Sequence, residues 1–356
     1  MVNLFEKKEI NSILKDERFL YPEYIPEKLS FRESEIDEIV FCLKPATVGK
    51  KPTNLFVCGV PGTGKTVSSK FILNELTEFS DRINCMYINC FETNSKYSIL
   101  AKATNHFGYA VPIRGMSSDE IFERFVAVIK SKKIIPIFVF DEAEQLLKDE
   151  SSKELLYDLS RLNEKFGIIA GLVFISNDNM FVSLLDDRVR SSLNPSKILF
   201  EKYTSLELKE ILKERSKFAF FDNVIDDEVI PLCAAHASKT GDARLAIGVL
   251  LKAARLAEKE NSKKILIKHV RASFLEEKPQ KIEIIENLSN QEKLIIDLLK
   301  KNKTGLTSGE IYEKLSNDFA ERTLRTALSN LNEKNIIFAE KLQKGKGFTR
   351  LIKIKQ

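Results

Sequence analysis

Short apolar runs alternate with helical patterns over residues 55 to 203. The runs lie at Leu55–Cys58, Cys85–Cys90, Ile134–Phe140, Ile169–Ile175 and Ile198–Phe200. Runs of this length, separated by helical patterns, are typical of parallel strands joined by crossover helices. The stretch between the second and third runs is longer than one crossover requires, which predicts helices near Tyr97–Phe107 and from Ser118 onwards. The pattern therefore predicts an α/β domain, a parallel sheet with helices on both faces.

The strand pattern stops after residue 203. Four helices are predicted at Ser205–Phe218, Asp226–Ser238, Asp242–Glu260 and Ile267–Glu276, a small all-α domain, and residues 279–290 form a plausible linker. Three further helices, Gln291–Asn302, Ser308–Leu315 and Ala320–Asn335, precede two strands around a Gly-rich turn. That order of elements is the order of a winged helix. The expected domains are residues 1–203, 204–280 and 281–356.

The N-terminal region carries a helical pattern followed by an extended one. Apolar residues between positions 3 and 20 have amphipathic helical spacing, while Pro22 and Pro26 favour extended backbone. Ser30 is a candidate N-cap of the next helix, and Pro45 and Gly49 are expected to end that helix.

Composition excludes several classes of protein. The chain has 356 residues, of which 43% are apolar and 30% charged, and it contains no uncharged apolar stretch long enough to span a membrane. The five cysteines form no C-x-x-C pair, so reduced thiols in a cytoplasmic protein are expected and a zinc site is not. The net charge is +5, and residues 289–356 alone carry +6. The basic C-terminal end suggests a polyanionic partner, although solvated surface lysines would give the same count.

The segment Gly59–Thr66 fits the phosphate-binding pattern G-x-x-x-x-G-K-[ST], between a predicted strand and a predicted helix, Lys65–Phe79. Glycines let backbone N–H groups surround phosphate oxygens, and the helix N-terminus adds a positive field. The expected nucleotide is ATP or ADP; Lys65 is expected to contact the β phosphate and, in ATP, the γ phosphate, and Thr66 to ligate Mg²⁺. The candidate nucleotide-binding residues of the loop are Val60, Pro61, Gly62, Thr63, Gly64, Lys65, Thr66 and Val67. The alternative is a plain turn between strand and helix.

Two acidic residues, Asp141 and Glu142, end the third apolar run. P-loop enzymes hold their metal with a carboxylate at the end of a neighbouring strand. Asp141 is therefore the candidate Mg²⁺ ligand, and Glu142 is the candidate general base. The competing interpretation is an acidic helix start.

Three more residues are candidates for catalysis. Asn177, after the fourth run, could contact the γ-phosphate or the attacking water, or could simply be a turn residue. Arg188 could be offered to a neighbouring subunit's nucleotide, or be a surface charge. Arg244, in Gly-Asp-Ala-Arg at the start of a helix, could contact nucleotide phosphates, although Gly-Asp is also a common helix-start signal.

The third helix of the C-terminal segment has the form of a recognition helix. Its apolar stripe is Leu324, Ala327, Leu328 and Leu331, and a capping box at Thr307 and Glu310 starts the helix before it. Opposite or beside the stripe lie Arg322, Thr323, Arg325 and Thr326, the candidate contacts to the major groove. The basic wing, with Lys344, Lys346 and Arg350, suits phosphates or the minor groove. Exposed polar residues or a protein-binding winged helix would give a similar pattern.

Together these motifs resemble the archaeal replication initiators of the AAA+ class, relatives of the origin recognition complex's largest subunit and of the cell-division-control helicase loader. The resemblance covers nearly the whole chain. It rests on Tyr24-Ile25-Pro26-Glu27-Lys28-Leu29 with Arg32 and Glu35, the Gly59–Thr66 loop, Asp141-Glu142, Asn177, Asp187–Leu193, Arg244 and the winged helix.

The resemblance implies further roles. Tyr24, Ile25 and Pro26 should line the adenine pocket, and Arg114 is the candidate DNA contact of an initiator-specific insertion over residues 91–115. Two departures from the family pattern stand out: Ala143-Glu144 replaces the usual Ile-Asp, and the Arg188 segment ends in Ser191-Ser192.

The expected function is ATP-dependent binding of double-stranded origin DNA, with slow hydrolysis as a switch. The implied partners are the replicative helicase, the minichromosome maintenance complex, and other copies of the chain on DNA, in the nucleoid and away from membranes. Two alternatives remain: a AAA+ ATPase that remodels proteins, and a DNA-binding transcriptional regulator.

Overall fold

The computed structural model of the protein describes residues 12–112, 115–276, 288–302, 305–316, 319–333, 336–344 and 347–354. The chain forms two compact units, divided between Ser273 and Phe274. None of the helices in the described ranges is both long enough and apolar enough to cross a bilayer.

The first unit is built on a five-stranded parallel sheet. Its strands are β1 (Leu55–Cys58), β2 (Ile83–Asn89), β3 (Ile135–Asp141), β4 (Gly171–Ser176) and β5 (Ser196–Leu199). The strand order is β2-β3-β4-β1-β5, and every neighbouring pair is parallel. The predicted parallel sheet is confirmed, and the carboxyl ends of all five strands lie along one edge.

Seven α-helices among the described residues of this unit precede or connect the strands along the chain. They are α1 (Glu33–Leu43), α2 (Lys65–Phe79), α3 (Lys96–His106), α4 (Ser118–Lys132), α5 (Glu150–Ser160), α6 (Leu162–Phe166) and α7 (Asp187–Leu193). Side chains alternate between the two faces of a strand. Val57 therefore packs with residues of α1 and α2, such as Ile39, whereas Phe56 belongs to the core that contains Phe125 of α4. Helices cover both faces, as the sequence predicts.

Four helices follow the sheet: α8 (Ser205–Ala219), α9 (Val229–Ala237), α10 (Ala243–Lys259) and α11 (Ile267–Glu276), the last of which extends past Ser273, where the first unit ends. The N-terminal segment packs against two of them. The backbone N–H of Ile13 donates to Glu258 of α10 at 3.0 Å, Leu14 forms an isolated bridge with Phe220, and Arg215 of α8 donates to the Phe19 carbonyl at 2.9 Å.

Two predictions for the N-terminal region are wrong within the described residues; positions 3–11 of the predicted helix lie outside them. Among residues 12–20 the structure has extended backbone and a short 3₁₀ helix, Glu17–Leu20, in place of the amphipathic helix, because the helical domain satisfies their backbone groups. Helix α1 begins at Glu33 after Arg32, and no side chain caps it. Ser30 instead donates its hydroxyl to Glu214 at 2.9 Å.

The second unit is a winged helix, and that prediction is confirmed. It contains α12 (Asn290–Lys301), α13 (Ser308–Leu315), α14 (Glu321–Glu333), β6 (Leu306–Thr307), β7 (Ile337–Lys344) and β8 (Gly347–Ile354). The strands form an antiparallel sheet in the order β6-β8-β7. The two-residue strand β6 was missed because it is too short for a period-two pattern. The predicted capping box is present, since Glu310 N–H donates to Thr307 Oγ1 at 3.3 Å and Thr307 N–H to Glu310 Oε2 at 2.7 Å.

Candidate nucleotide-binding site

The Gly59–Thr66 loop joins β1 to α2 at the carboxyl edge of the sheet. Gly64, with φ of 93°, is the N-cap of α2, a left-handed conformation that favours glycine. A Cβ on Gly62 would lie 1.8 Å from Asp242 Oδ1, so only glycine allows the helical domain to approach the loop this closely. The loop leaves the first N–H groups of α2 free to face a phosphate.

Lys65 connects the loop to the end of β4. Its ammonium donates to the Gly59 and Val60 carbonyls, both at 2.8 Å, and to Asn177 Oδ1 at 2.9 Å. Burial lowers the pKa of Lys65, and the nearby carboxylates of Asp141 and Glu142 partly offset that shift. A buried ammonium held by neutral carbonyl and amide oxygens favours binding of an anion, because a phosphate would neutralise its charge.

Asp141 and Thr66 lie together where β3 ends beside α2. The Thr66 hydroxyl donates to Asp141 Oδ2 at 2.8 Å, and Asp141 is almost fully buried. Carboxylate and hydroxyl oxygens are the ligands that Mg²⁺ prefers, and the metal commonly takes one or two protein ligands beside phosphate oxygens. The donor set therefore fits Mg²⁺, with Thr66 and Asp141 as the residues that would hold it.

Glu142 follows Asp141 in a left-handed conformation with φ of 54°, which is unusual for a non-glycine residue. Its backbone N–H donates to Asp141 Oδ1, and its side-chain oxygen accepts from Asn177 Nδ2, both at 2.9 Å. Asn177 thus connects Lys65 to Glu142 through its two amide atoms. Strained backbone of this kind persists where the surroundings hold a side chain in a required place.

The proton affinity of Glu142 is raised by its surroundings. Burial raises the pKa of Glu142 to about 7, and the neighbouring carboxyl of Glu144 adds to the shift. Glu144 is itself held by the Ser176 hydroxyl, which donates to it at 2.5 Å. A carboxylate with a pKa near neutrality is suited to accept a proton from water. In the sequence Glu144 stood out only as a departure from the family pattern, and the structure places it beside the candidate base.

The helical domain contacts the loop directly. Ala243 N–H donates to the Gly62 carbonyl at 3.0 Å, and Asp242 caps α10 by accepting from the Arg244 and Leu245 N–H groups at 2.8 and 3.3 Å. The Arg244 guanidinium is 57% exposed, and its charge helps to lower the pKa of Lys65. Gly-Asp-Ala-Arg is therefore both a helix start and the point at which a cation comes near the loop.

Arg32 joins three segments around the loop. Its guanidinium donates to the Thr63 carbonyl at 2.9 Å, to the Glu201 carbonyl at 2.6 Å and to Glu35 at 2.9 Å. The guanidinium carbon lies 3.9 Å from the ring centroid of Tyr203, a cation–π distance. Arg32 and Tyr203 were not predicted as site residues, since neither belongs to a local motif; the nearest signal was Arg32 within the family resemblance.

Three parts of the chain match models of protein families. Residues 49–178 match the AAA domain, residues 209–274 match the Cdc6 AAA+ ATPase-type lid domain, and residues 288–356 match the penicillinase repressor family.

Relatives match over nearly the full length. ORC1-type DNA replication protein 1 of Sulfurisphaera tokodaii is 36% identical over 351 residues, covering 94% of this chain and 88% of the relative. The Thermococcus kodakarensis ORC1-type DNA replication protein is 34% identical, and the match covers 99% of this chain and 91% of the relative. The chain belongs to the family of ORC1-type DNA replication proteins. The structure of the Aeropyrum pernix ORC1 protein in complex with DNA is similar to this one, with a TM-score of 0.75 and 30% sequence identity. The match covers 96% of this chain and 94% of the Aeropyrum pernix chain.

Family membership confirms the resemblance that the motifs indicated. The chain is a AAA+ ATPase of the replication-initiation class, with a parallel α/β domain, a lid of the Cdc6 type and a winged helix. All four residues of the site cluster, Lys65, Asp141, Glu142 and Asn177, lie within the matched AAA domain.

The residues expected around adenine lie beside the lid and α2. The Tyr24 ring lies 4.7 Å from the Arg215 guanidinium carbon of α8. Ile25 lines a cavity of about 480 Å³ with Lys70 and Tyr87, among other residues. Val67 is on the first turn of α2. The role of Tyr24, Ile25 and Pro26 in adenine binding stays a prediction.

Arg188 lies on α7 and is exposed, while Arg190 pairs with Asp187 at 2.6 Å. Arg188 is thus available to a neighbouring molecule. Its role as a trans-acting arginine stays a prediction.

The candidate DNA-binding residues of α14 are exposed. Leu324, Ala327, Leu328 and Leu331 are buried, which confirms the predicted stripe, and Arg322, Thr323, Arg325 and Thr326 are exposed. Arg325 pairs with Glu321 of the same helix at 2.7 Å, which partly neutralises its charge. Arg350 is exposed on β8. Arg114, Lys346 and the side chain of Lys344 lie outside the described part of the chain.

Arg32→Met is expected to lower the stability of the first unit by about 3 kcal/mol, because it removes one partner of a buried ion pair and leaves three backbone carbonyls without this donor. Arg18→Met is the matched control: Arg18 also pairs with a carboxylate, Asp16, but its side chain is 79% exposed, so a much smaller loss of stability is expected. Urea titration of both variants measures the difference, and equal losses would contradict a structural role for the Arg32 contacts.

Proposed function

We propose that this protein is an ATP-dependent replication initiator that binds origin DNA and helps to recruit or load the replicative helicase. The observation that carries the proposal is the full-length match to ORC1-type DNA replication proteins, in a chain whose loop, carboxylates and lid converge on one nucleotide site. One of the matched structures is of an ORC1 protein in complex with DNA. The minichromosome maintenance complex is the helicase partner in this proposal, and copies of the chain assemble on DNA.

In this proposal ATP binds between the α/β domain and the lid. The Lys65 ammonium and the loop N–H groups bind the phosphates, and Thr66 and Asp141 hold Mg²⁺, which neutralises charge on the phosphate oxygens. Glu142 orients the attacking water and accepts its proton. Arg244 contacts the phosphates from the lid, so that the lid position follows the state of the nucleotide.

Hydrolysis is proposed to be slow, a switch between states. A γ-phosphate that engages Lys65 competes with Asn177 for the same ammonium, and Asn177 also holds Glu142. The state of the phosphate is thereby linked to the candidate base.

The winged helix is proposed to bind duplex DNA through the exposed face of α14 and the wing. Arginine can bind both guanine O6 and N7 in the major groove, which suits Arg322, and Arg350 suits a phosphate. The surplus of positive charge in residues 289–356 supports a polyanionic ligand.

Arg322→Ala is expected to weaken duplex binding about tenfold, and Arg350→Ala to weaken it similarly and to reduce the salt slope by about 1, while ATP affinity stays unchanged. Fluorescence anisotropy with duplex DNA over a range of salt concentrations measures both effects. Lys300→Ala, on α12 and paired with Asp297, is the control for loss of one charge. Equal weakening by Lys300→Ala would contradict the assigned DNA-binding face, and lower ATP affinity in Arg322→Ala would contradict independent units.

Genomic footprinting with the ATP-bound protein tests the cellular role. Sites near an origin would support the initiator proposal, whereas sites at promoters alone would overturn it in favour of a transcriptional regulator. The regulator is kept as a second candidate because residues 288–356 match the penicillinase repressor family. A flat salt dependence of DNA binding would instead favour an ATPase that remodels proteins.

A further inference from the structure

The Tyr87 side chain reaches the candidate magnesium ligand from the strand beside it. Tyr87 lies on β2, which pairs in parallel with β3, so that Tyr87 is opposite Val139 and Asn89 is opposite Asp141. The Tyr87 hydroxyl donates to Asp141 Oδ2 at 2.6 Å. A phenol is protonated at neutral pH, so the hydroxyl is a donor to the carboxylate.

Within the described residues, the Asp141 carboxylate accepts from three donors. Oδ2 accepts from Thr66 and Tyr87, and Oδ1 accepts from the backbone N–H of Glu142. Thr66 is itself a candidate Mg²⁺ ligand, and the N–H of Glu142 is set by the backbone. Tyr87 is therefore the side chain that can hold the Asp141 carboxylate plane in one orientation without joining the metal's ligands.

We propose that Tyr87 is a positioning residue for the magnesium-binding carboxylate of Asp141. The inference rests on the proposed function, because it assumes that Asp141 and Thr66 hold Mg²⁺ with the nucleotide. Groups that hydrogen-bond to metal ligands orient them, and losing such a group commonly weakens metal binding. Tyr87 acts in this way from the neighbouring strand.

Two features of the Tyr87 ring do not depend on its hydroxyl. The Lys70 ammonium lies 4.3 Å from the ring centroid, and the ring forms part of the wall of the 480 Å³ cavity that Ile25 and Cys85 also line. A phenylalanine at this position keeps the ring, its contact with Lys70 and the cavity wall. Tyr87→Phe therefore removes one hydrogen bond and little else.

The test is a Mg²⁺ titration of binding of a fluorescent ATP analogue to the full chain. Tyr87→Phe is expected to raise the half-saturating Mg²⁺ concentration about tenfold, with affinity for the analogue in EDTA unchanged. The control is Tyr109→Phe, whose partly exposed ring lies 5.9 Å from the Arg124 guanidinium carbon and for which no change is expected. An unchanged Mg²⁺ midpoint in Tyr87→Phe would overturn the inference and leave the proposed function standing.

A double-mutant cycle separates positioning from a general effect on structure. If Tyr87 acts through Asp141, then Tyr87→Phe is expected to have no further effect on the Mg²⁺ midpoint once Asp141→Asn is present. An additive effect would overturn the inference, since Tyr87 would then act elsewhere. Absence of any Mg²⁺ dependence in the wild-type protein would contradict the proposed metal site itself, and the inference would fall with it.

Discussion

Glu142→Gln is expected to bind ATP with wild-type affinity and to lose between about 100-fold and 10,000-fold in hydrolysis rate. Glutamine keeps the size of the side chain and can still pair with Asn177, but it cannot accept a proton from water. Single-turnover hydrolysis of radiolabelled ATP measures the rate, and equilibrium binding measures the affinity. The variant should therefore accumulate in the ATP-bound state.

Glu144→Gln is the matched control for Glu142→Gln. Its carboxylate accepts from the Ser176 hydroxyl and lies beside Glu142, so the change removes a charge from the same cluster without removing the candidate base. Because the Glu144 carboxyl helps to raise the pKa of Glu142, Glu144→Gln should lower that pKa and reduce hydrolysis far less. Equal losses in the two variants, or full turnover in Glu142→Gln, would mean that another group activates water.

Lys65→Ala is expected to abolish measurable nucleotide binding. The ammonium would make two charge-assisted hydrogen bonds to phosphate oxygens, worth together about 4 kcal/mol or about a thousandfold in affinity. The fold should lose little stability, because removing the desolvation penalty of the buried ammonium, which lowers the pKa of Lys65, offsets the lost hydrogen bonds to the Gly59 and Val60 carbonyls. Thermal melting with and without ATP measures both effects.

The wild-type protein should gain about 2.7 kcal/mol of stability at an ATP concentration 100 times its dissociation constant, and Lys65→Ala should gain none. In the absence of nucleotide the variant should melt within about 4 °C of wild type. Lys213→Ala, on α8 and paired with Glu210, is the control for loss of one charge and should keep the ATP-induced shift. A normal shift in Lys65→Ala would remove the basis of the nucleotide site.

The local elements of the site were predictable because their signals are local. The strand Leu55–Cys58 and the helix Lys65–Phe79 have the bounds expected from the sequence, since an apolar run, a glycine-rich loop and a helical period follow one another along the chain. The buried stripe of α14 and the capping box at Thr307 and Glu310 were likewise predictable from spacing of three and four residues.

The predictions failed where a backbone or side-chain group forms a hydrogen bond with a residue far away in the sequence. Residues 12–20 carry a helical period, yet their backbone pairs with Glu258, Ala219 and Phe220 of the lid. Ser30 has the chemistry of an N-cap, yet Glu214 accepts its hydroxyl hydrogen. Intrinsic propensity amounts to less than about 1 kcal/mol per residue, so tertiary contacts override it.

The sequence by itself determined the class of site: a phosphate loop, a carboxylate pair after a strand, a lid arginine and a basic winged helix. The tertiary structure decided which side chains meet. The order β2-β3-β4-β1 places the ends of β3 and β4 beside the loop, so Asn177 can connect Lys65 to Glu142 and Tyr87 can reach Asp141 from the next strand. Arg32 similarly meets Thr63 and Tyr203 only in the folded chain. An apolar run specifies that a strand is buried, but its neighbours depend on crossovers and packing among residues far apart in the chain.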